Sequence, residues 1–228
     1  MEVKKIQAKR TELICVLDKS GSMHRLRSDT IGGYNAYIKD QLDEEGYTGV
    51  SLILFDTGYE KIYENIDINT VPELDETVYV PGGMTSLNDA IGITLTESLK
   101  RHTEMDEDKC PDNVVVAILT DGHENTSKEY TTPRIKELIS FFEKEHDWKF
   151  IYLATNQDAF DVGRTMGFDK NNSVTYSNSD IGTRSAFQNV SMYSKQARCV
   201  DTDSLKASFC QESEVNLDEK FKAVKKDC

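Results

Sequence analysis

The chain has 228 residues, enough for one sizeable α/β domain. Hydrophobic residues make up 38% and charged residues 29%, a balance that excludes a disordered chain. Lys and Arg number 27 against 40 Asp and Glu, and the formal net charge of -13 repels phosphate backbones, so no nucleic-acid partner is expected.

The first apolar run, Leu13–Leu17, is too short for a signal-peptide core or a membrane span and reads as a buried strand. No membrane partner is expected, and the location expected is cytoplasmic. The 5 cysteines (Cys15, Cys110, Cys199, Cys210 and Cys228) are odd in number and form no CxxC pair. Reduced thiols are therefore expected rather than a disulfide framework or a zinc cluster.

Leu26, Thr30, Tyr34, Ile38 and Leu42 recur at i, i+4 and mark the core-facing stripe of a helix. Gly32 and Gly33 interrupt it at a cost of about 1 kcal/mol each relative to Ala, which close packing against the sheet would explain. Val50–Phe55 is a second strand; Asp56 and Thr57–Gly58 form a turn, and Tyr59–Tyr63 is the hairpin partner. Leu87–Leu99 reads as a helix whose start, Ser86 with Asp89, resembles a capping box. Strand Val114–Leu119 follows, then a helix over Pro133–Glu145 with Pro133 in its first turn. Phe150–Ala154 is a strand, and further elements are expected at Asp158–Met166 (helix), Ser173–Tyr176 (strand) and Gly182–Gln196 (helix). Residues 1–199 make one domain; residues 200–228, charge-rich and with Lys220–Lys226 as the densest basic cluster, read as a packed terminal helix or a tail.

Strands alternating with helices imply an α/β fold, doubly wound: a mostly parallel central sheet with helices on both faces and one antiparallel edge strand from the hairpin. Ligands of such sheets bind at the carboxyl ends of the strands. There the first strand runs into Asp18-Lys19-Ser20-Gly21-Ser22-Met23. One carboxylate and two hydroxyls at alternate positions, with a glycine to turn the loop, suit a hard cation that keeps several waters. The strand Val114–Leu119 ends in Thr120-Asp121-Gly122, so Asp121 would emerge beside Asp18 if the two strands are neighbours. Two carboxylates there would repel unless a cation lay between them. Met23 is too soft a ligand for Mg²⁺ and reads as packing under the loop.

DKSGSM resembles the D-x-S-x-S element of the metal-ion-dependent adhesion site (MIDAS) of von Willebrand factor A domains. PGGMTSLNDA supplies Thr85 and LTDG supplies Asp121, both in that family's order. The resemblance runs from about Thr11 to Gly167. The stretches TIGGYNAY, LILFDTGYE, LTDGHENTSKEYT and WKFIYLATNQDA further resemble uncharacterised single-domain A-type proteins of bacteria and their phages. The resemblance implies a Rossmann-like fold and a metal site of Asp18, Ser20, Ser22, Thr85 and Asp121 holding Mg²⁺, with Mn²⁺ or Ca²⁺ as alternatives. In it Ser20 and Ser22 would ligate directly, Asp18 mainly through water, and Thr85 or Asp121 directly or through water. The open metal position would take an Asp or Glu carboxylate of a protein partner.

His123, Glu124 and Asn156 are candidates for the partner-binding rim; for His123 and Glu124 the role of solvated loop residues is the preferred alternative, and helix-start chemistry explains Asn156 as well. Asp89 reads as a helix cap rather than a ligand. A non-catalytic binding module is expected. The resemblance also permits an adaptor for an AAA+ ATPase or a stress-response assembly. A phosphoryl-transfer enzyme using Asp18 would want a second Asp where Ser20 stands. His24, His102, His123 and His146 form no protease or triad signature.

Overall fold

The computed structural model of the protein describes residues 9–121, 124–154, 157–168, 173–175 and 180–198. Six strands, β1 (Arg10–Asp18), β2 (Tyr47–Phe55), β3 (Tyr59–Asp67), β4 (Asn113–Thr120), β5 (Lys149–Ala154) and β6 (Ser173–Thr175), form one sheet in the order β3-β2-β1-β4-β5-β6. Every neighbouring pair is parallel except the hairpin β2–β3. Between and after them lie α1 (Arg27–Gln41), α2 (Leu87–Glu104), α3 (Thr132–Glu145), α4 (Gln157–Thr165) and α5 (Asp180–Arg198). This is the doubly wound α/β fold with one antiparallel edge that the sequence pattern implies. Strand order reverses at β1, whose partners are β2 on one side and β4 on the other, so the crevice at its carboxyl end is the natural ligand position.

The two faces of the sheet sort residues by parity. Leu13, Cys15 and Leu17 of β1 join Val115, Ala117 and Leu119 of β4 under Tyr34, Tyr37 and Ile38 of α1 and Phe187 and Val190 of α5. Ile14 and Val16 join Val114, Val116 and Ile118 under Leu95 and Leu99 of α2 and Ile139 and Phe142 of α3. With both faces covered, the central strands need no polar alternation, and each fully buried aliphatic side chain contributes about 1.5–3 kcal/mol. At the hairpin the pairing of β2 and β3 shifts register around Ser51. Asn65 takes a positive φ of 46° there and donates its N–H to Ser51 Oγ at 2.8 Å, which keeps the bulge satisfied. The turn before it forms as expected, with Gly58 N–H on Asp56 Oδ1 at 2.8 Å.

Four local expectations need correction. Gly33 packs against α5 rather than the sheet: a Cβ there would lie 2.2 Å from Phe187 Cδ2, whereas one on Gly32 would meet open space. Leu42 leaves the core stripe because α1 ends at Gln41, and its side chain is 43% exposed. The first turn of the expected helix is instead a 3-10 turn, Gly21–Leu26, which carries the Asp18 loop onto α1. Ser86 precedes α2 without a side-chain cap, and Asp89 turns away from it to receive the N–H groups of Lys128, Glu129 and Tyr130 at 2.7–2.9 Å. Residues 200–228 lie outside the described residues, as do Cys199, Cys210 and Cys228, while Cys15 and Cys110 are buried free thiols. No helix among the described residues is long and apolar enough to cross a membrane.

Candidate metal centre

β1 and β4 run in register, Leu17 beside Leu119, so both strands deliver an aspartate to the same edge. Asp18 is fully buried. Its Oδ1 accepts the N–H of Ser20 at 2.6 Å and its Oδ2 the hydroxyl of Thr120 at 2.7 Å. The loop then turns so that Ser20 Oγ stands 3.1 Å from Ser22 Oγ. Ser22 in turn donates to Asp121 Oδ1 at 2.5 Å, although the two lie 99 residues apart. Asp121 is 5% exposed, and its Oδ2 lies 3.9 Å from the exposed guanidinium of Arg25. Four side chains from two strand ends thus form a continuous line of oxygens, with Ser22 exposed at its mouth.

Thr85 comes from a third segment, and backbone pairing ties that segment to the site. Gly82 N–H donates to Lys19 O at 2.8 Å and Gly21 N–H to Gly83 O at 3.1 Å. Gly83 sits at φ 69°, and a Cβ there would press on the Asp56–Thr57 turn, so glycine is required. Met23 is fully buried under the loop, as its side chain suggests, and Tyr79 Oη donates to the carbonyl of Asp18 from below. Thr85 is 4% exposed and held on its other side by Asn125, whose Oδ1 accepts its N–H at 2.9 Å and whose own N–H donates to Thr85 O at 3.1 Å.

Glu124 does not sit as a solvated loop residue. One carboxylate oxygen accepts the N–H groups of Thr126 (3.0 Å) and Ser127 (2.7 Å), the other the N–H of Asn88 in the first turn of α2 (2.7 Å) and the hydroxyl of Ser127 (2.6 Å). A carboxylate on a helix N-terminus is favourable, and here it fastens the loop after β4 to the helix after Thr85. His123 and Asn156, the other rim candidates, lie outside the described residues. Sequence reasoning missed Thr120, Tyr79 and Asn125. Thr120 carried a signal, since it precedes Asp121 at a strand end; the other two act through backbone groups of distant loops.

The buried position of Asp18 opposes its charge. Burial, the largest cause, pushes the Asp18 carboxyl up to about 6 from an ordinary 3.8, and the Asp121 charge adds to it, against the hydrogen bonds from Thr120 and Ser20. Tyr152, also buried, has its hydroxyl pushed up by burial and by the Asp18 charge, and that hydroxyl finds no hydrogen-bond partner among the described residues. No three His, Cys, Asp or Glu side chains of the described residues come together, so an ion here would depend on the serine and threonine hydroxyls beside two carboxylates. All-oxygen donors of that kind fit a hard divalent cation and not a soft one.

No family model matches the chain, and no curated protein matches it in sequence. Solved structures do. Proximal thread matrix protein 1 of the mussel byssus, with a zinc-occupied MIDAS motif, matches over 80% of this chain and 47% of its own at 16% identity and TM-score 0.57. The vWF domain of the type V pilus tip protein Mfa5 from Porphyromonas gingivalis matches over 82% of this chain and 95% of its own, at 11% identity and TM-score 0.56. A von Willebrand factor type A protein from Catenulispora acidiphila matches over 82% and 43%, at 11% identity and TM-score 0.55. The chain has the von Willebrand factor A-type fold, and it spans about half the length of the byssus protein.

Proposed function

We propose that the protein is a non-catalytic binding module in which a divalent cation, Mg²⁺ in the first place, captures an acidic side chain of a protein partner. The observation that carries this reading is the oxygen line Asp18–Ser20–Ser22–Asp121, closed by the 2.5 Å contact between Ser22 and Asp121 at the carboxyl ends of two adjacent strands. Ser20 and Ser22 would supply hydroxyl ligands. Asp18 and Asp121 would supply the negative charge, directly or through water, and Thr85 would add its hydroxyl from a loop whose backbone is hydrogen-bonded to theirs. The cation would reverse the sign of the local field and so let a carboxylate approach a protein of net charge -13. The mussel protein's zinc-occupied MIDAS supports a divalent ion in a site of this fold; the oxygen donors favour Mg²⁺, Mn²⁺ or Ca²⁺ here.

Two features support a binding role over phosphoryl transfer from Asp18. Both carboxylate oxygens of Asp18 are engaged, and the residue has no exposed surface from which to attack a phosphoryl group. Position 20 holds a hydroxyl where that chemistry wants a second acid. The adaptor reading uses the same cation and differs in the partner alone; an AAA+ ATPase retained by the protein in Mg²⁺ and released by chelator would select it. Since the expected site of action is the cytoplasm, such a partner would be sought there.

The experiment is thermal unfolding of metal-free protein with Mg²⁺, Mn²⁺, Ca²⁺ or Zn²⁺ added. Binding to the folded state alone stabilises it by about 2.7 kcal/mol at a hundredfold excess over Kd. Mg²⁺ is expected to raise Tm in the natural protein and to leave the Ser20→Ala/Ser22→Ala variant unmoved. Identical melting curves with and without each metal would remove the site from consideration.

A further inference from the structure

The loop and turn that leave β1 carry Lys19, Arg25 and Arg27, and these cations are not placed alike. Lys19 is tied down: its ammonium lies 2.7 Å from Glu60 Oε2 and 4.0 Å from Asp56 Oδ2, and its side chain is 17% exposed. Arg27 is tied down too, donating to the carbonyls of Tyr79 and Glu76 and standing 3.8 Å from the Glu76 carboxylate. Arg25 is the exception. Its side chain is 63% exposed, and its guanidinium approaches the buried Asp121 Oδ2 to 3.9 Å, too far for a hydrogen bond. Among the described residues it makes no other ion pair and no hydrogen bond.

The backbone under Arg25 is nevertheless fixed. It belongs to the 3-10 turn Gly21–Leu26, which is anchored by the buried side chains of Met23 and Leu26 and by the Met23 N–H on Ser20 O at 3.0 Å. In a 3-10 turn the side chains at i and i+3 lie over one another, so Arg25 stands on the same edge of the turn as Ser22. One turn therefore addresses both oxygens of Asp121: Ser22 donates to Oδ1, and the guanidinium faces Oδ2. An ion pair with one partner in water contributes little, so Arg25 gives up this contact easily. A second positive charge at Asp121 would repel the guanidinium. An arriving carboxylate would attract it, and the planar fork of Arg suits a carboxylate. On a chain of net charge -13, an exposed cation at the mouth of the site also favours the approach of an anion.

From the exposure of Arg25, its loose contact with Asp121 and its place above Ser22, we infer that Arg25 is a second recognition group of the site. It faces Asp121 in metal-free protein, yields Asp121 to an incoming divalent cation, and then pairs with the partner's carboxylate. The inference rests on the metal-dependent binding reading above. It gives Arg25 two effects of opposite sign: competition that weakens cation binding, and pairing that strengthens carboxylate binding.

Mn²⁺ and acetate serve as probes, with the natural chain, Arg25→Gln and Arg25→Lys compared. An exposed side chain of this kind is replaceable without harm to folding. Mn²⁺ uptake is followed by water-proton relaxation, and acetate binding to the Mn²⁺-loaded protein by relaxation of the acetate methyl protons. Arg25→Gln is expected to bind Mn²⁺ about threefold more tightly and acetate about threefold more weakly than the natural chain. Arg25→Lys, which keeps the charge and loses the fork, should retain the natural Mn²⁺ affinity and bind acetate with intermediate strength. Either affinity left unchanged by Arg25→Gln would overturn the proposal, as would both moving in the same direction, the mark of a merely structural role. If the natural chain takes up Mn²⁺, the Ser20→Ala/Ser22→Ala variant does not, and Arg25→Gln matches the natural chain, this inference alone fails. If neither the natural chain nor Arg25→Gln takes up Mn²⁺, the metal reading fails and this inference with it.

Discussion

Glu12 and Asp18 sit on the same strand, β1, and on the same face of the sheet, and both are withdrawn from water, at 1% and 0% exposure. Their surroundings differ in one respect. Arg101 reaches Glu12 Oε1 at 2.5 Å, His102 Nε2 lies 2.6 Å from Oε2, and Ser51 adds a hydroxyl at 2.9 Å. Burial alone would raise the Glu12 carboxyl, but these partners together hold it below its ordinary value. Asp18 has hydroxyl and amide donors but another carboxylate as its charged neighbour, and its carboxyl is raised to about 6. The lower end of β1 carries two cations in direct contact with its carboxylate; at the upper end the nearby cation is the exposed Arg25, 3.9 Å from Asp121 Oδ2. A buried carboxylate left in that condition has a cost, and a divalent ion is the simplest thing that would offset it.

The largest expected effect comes from dismantling the satisfied end. Glu12→Gln leaves Arg101 and His102 facing a neutral group, and breaking a buried ionic contact of this kind costs about 3–5 kcal/mol. Urea unfolding measures it, and a loss under about 1 kcal/mol would mean that Glu12 matters less than its burial implies. Asp18→Asn works in the opposite direction. It removes a charge that is costly chiefly because it is buried and to a smaller extent because of Asp121, and is expected to stabilise metal-free protein at pH 7 by up to about 3 kcal/mol, the equivalent of the shift from 3.8 to about 6, less what the amide loses as an acceptor for Ser20 N–H and Thr120, while abolishing the response to Mg²⁺. A destabilised Asp18→Asn would break the comparison.

The pH dependence separates the two ends without mutation. A carboxyl whose folded value is raised gives most stability while protonated. For Asp18, then, metal-free stability is highest below about 4, falls as pH rises toward 6, and is flat above. A carboxyl whose folded value is lowered does the reverse, so the Glu12 contribution is present above its ordinary 4.5 and is lost only as pH falls through the lowered value. Metal-free protein should therefore lose stability between pH 4 and 6, and saturating Mg²⁺ should cancel that slope. The smallest effect is that of Thr120→Ala, which removes a hydrogen bond to the buried Asp18 carboxylate and costs about 1 kcal/mol. Ser51→Ala removes a hydrogen bond to Glu12 and also the acceptor of the Asn65 N–H, so its loss should be about twice that.

How much of this was legible in the sequence follows from where each interaction lives. Asp18, Ser20 and Ser22 are contiguous and stand where an apolar run stops, so their spacing and position were both readable. Asp121 needed only the inference that two parallel strands are neighbours, which the register confirms. Glu12 was not legible, because a charged residue before Leu13 reads as a strand boundary and its partners lie 89 and 90 residues away. Asp89 was misread as a cap, since loop amides compete for a carboxylate as effectively as the helix end does and leave no periodic trace. Gly33 was recognised as a close contact but assigned the wrong neighbour, because Phe187 approaches from an element far along the chain.

The backbone bonds that lace Lys19 and Gly21 to Gly82 and Gly83 also decide where this chain can grow longer. An extra residue inside either segment would shift both bonds and move Ser22 and Thr85 apart. The turn at Asp75–Val78 is held more lightly: Asp75 accepts the N–H groups of Thr77 and Val78 from within, the half-exposed Arg27 side chain donates to Glu76 O from α1, and the turn is exposed. Loop extension there costs little entropy. A tag or a small domain spliced into that turn would therefore sit within a few residues of the site while leaving its geometry intact.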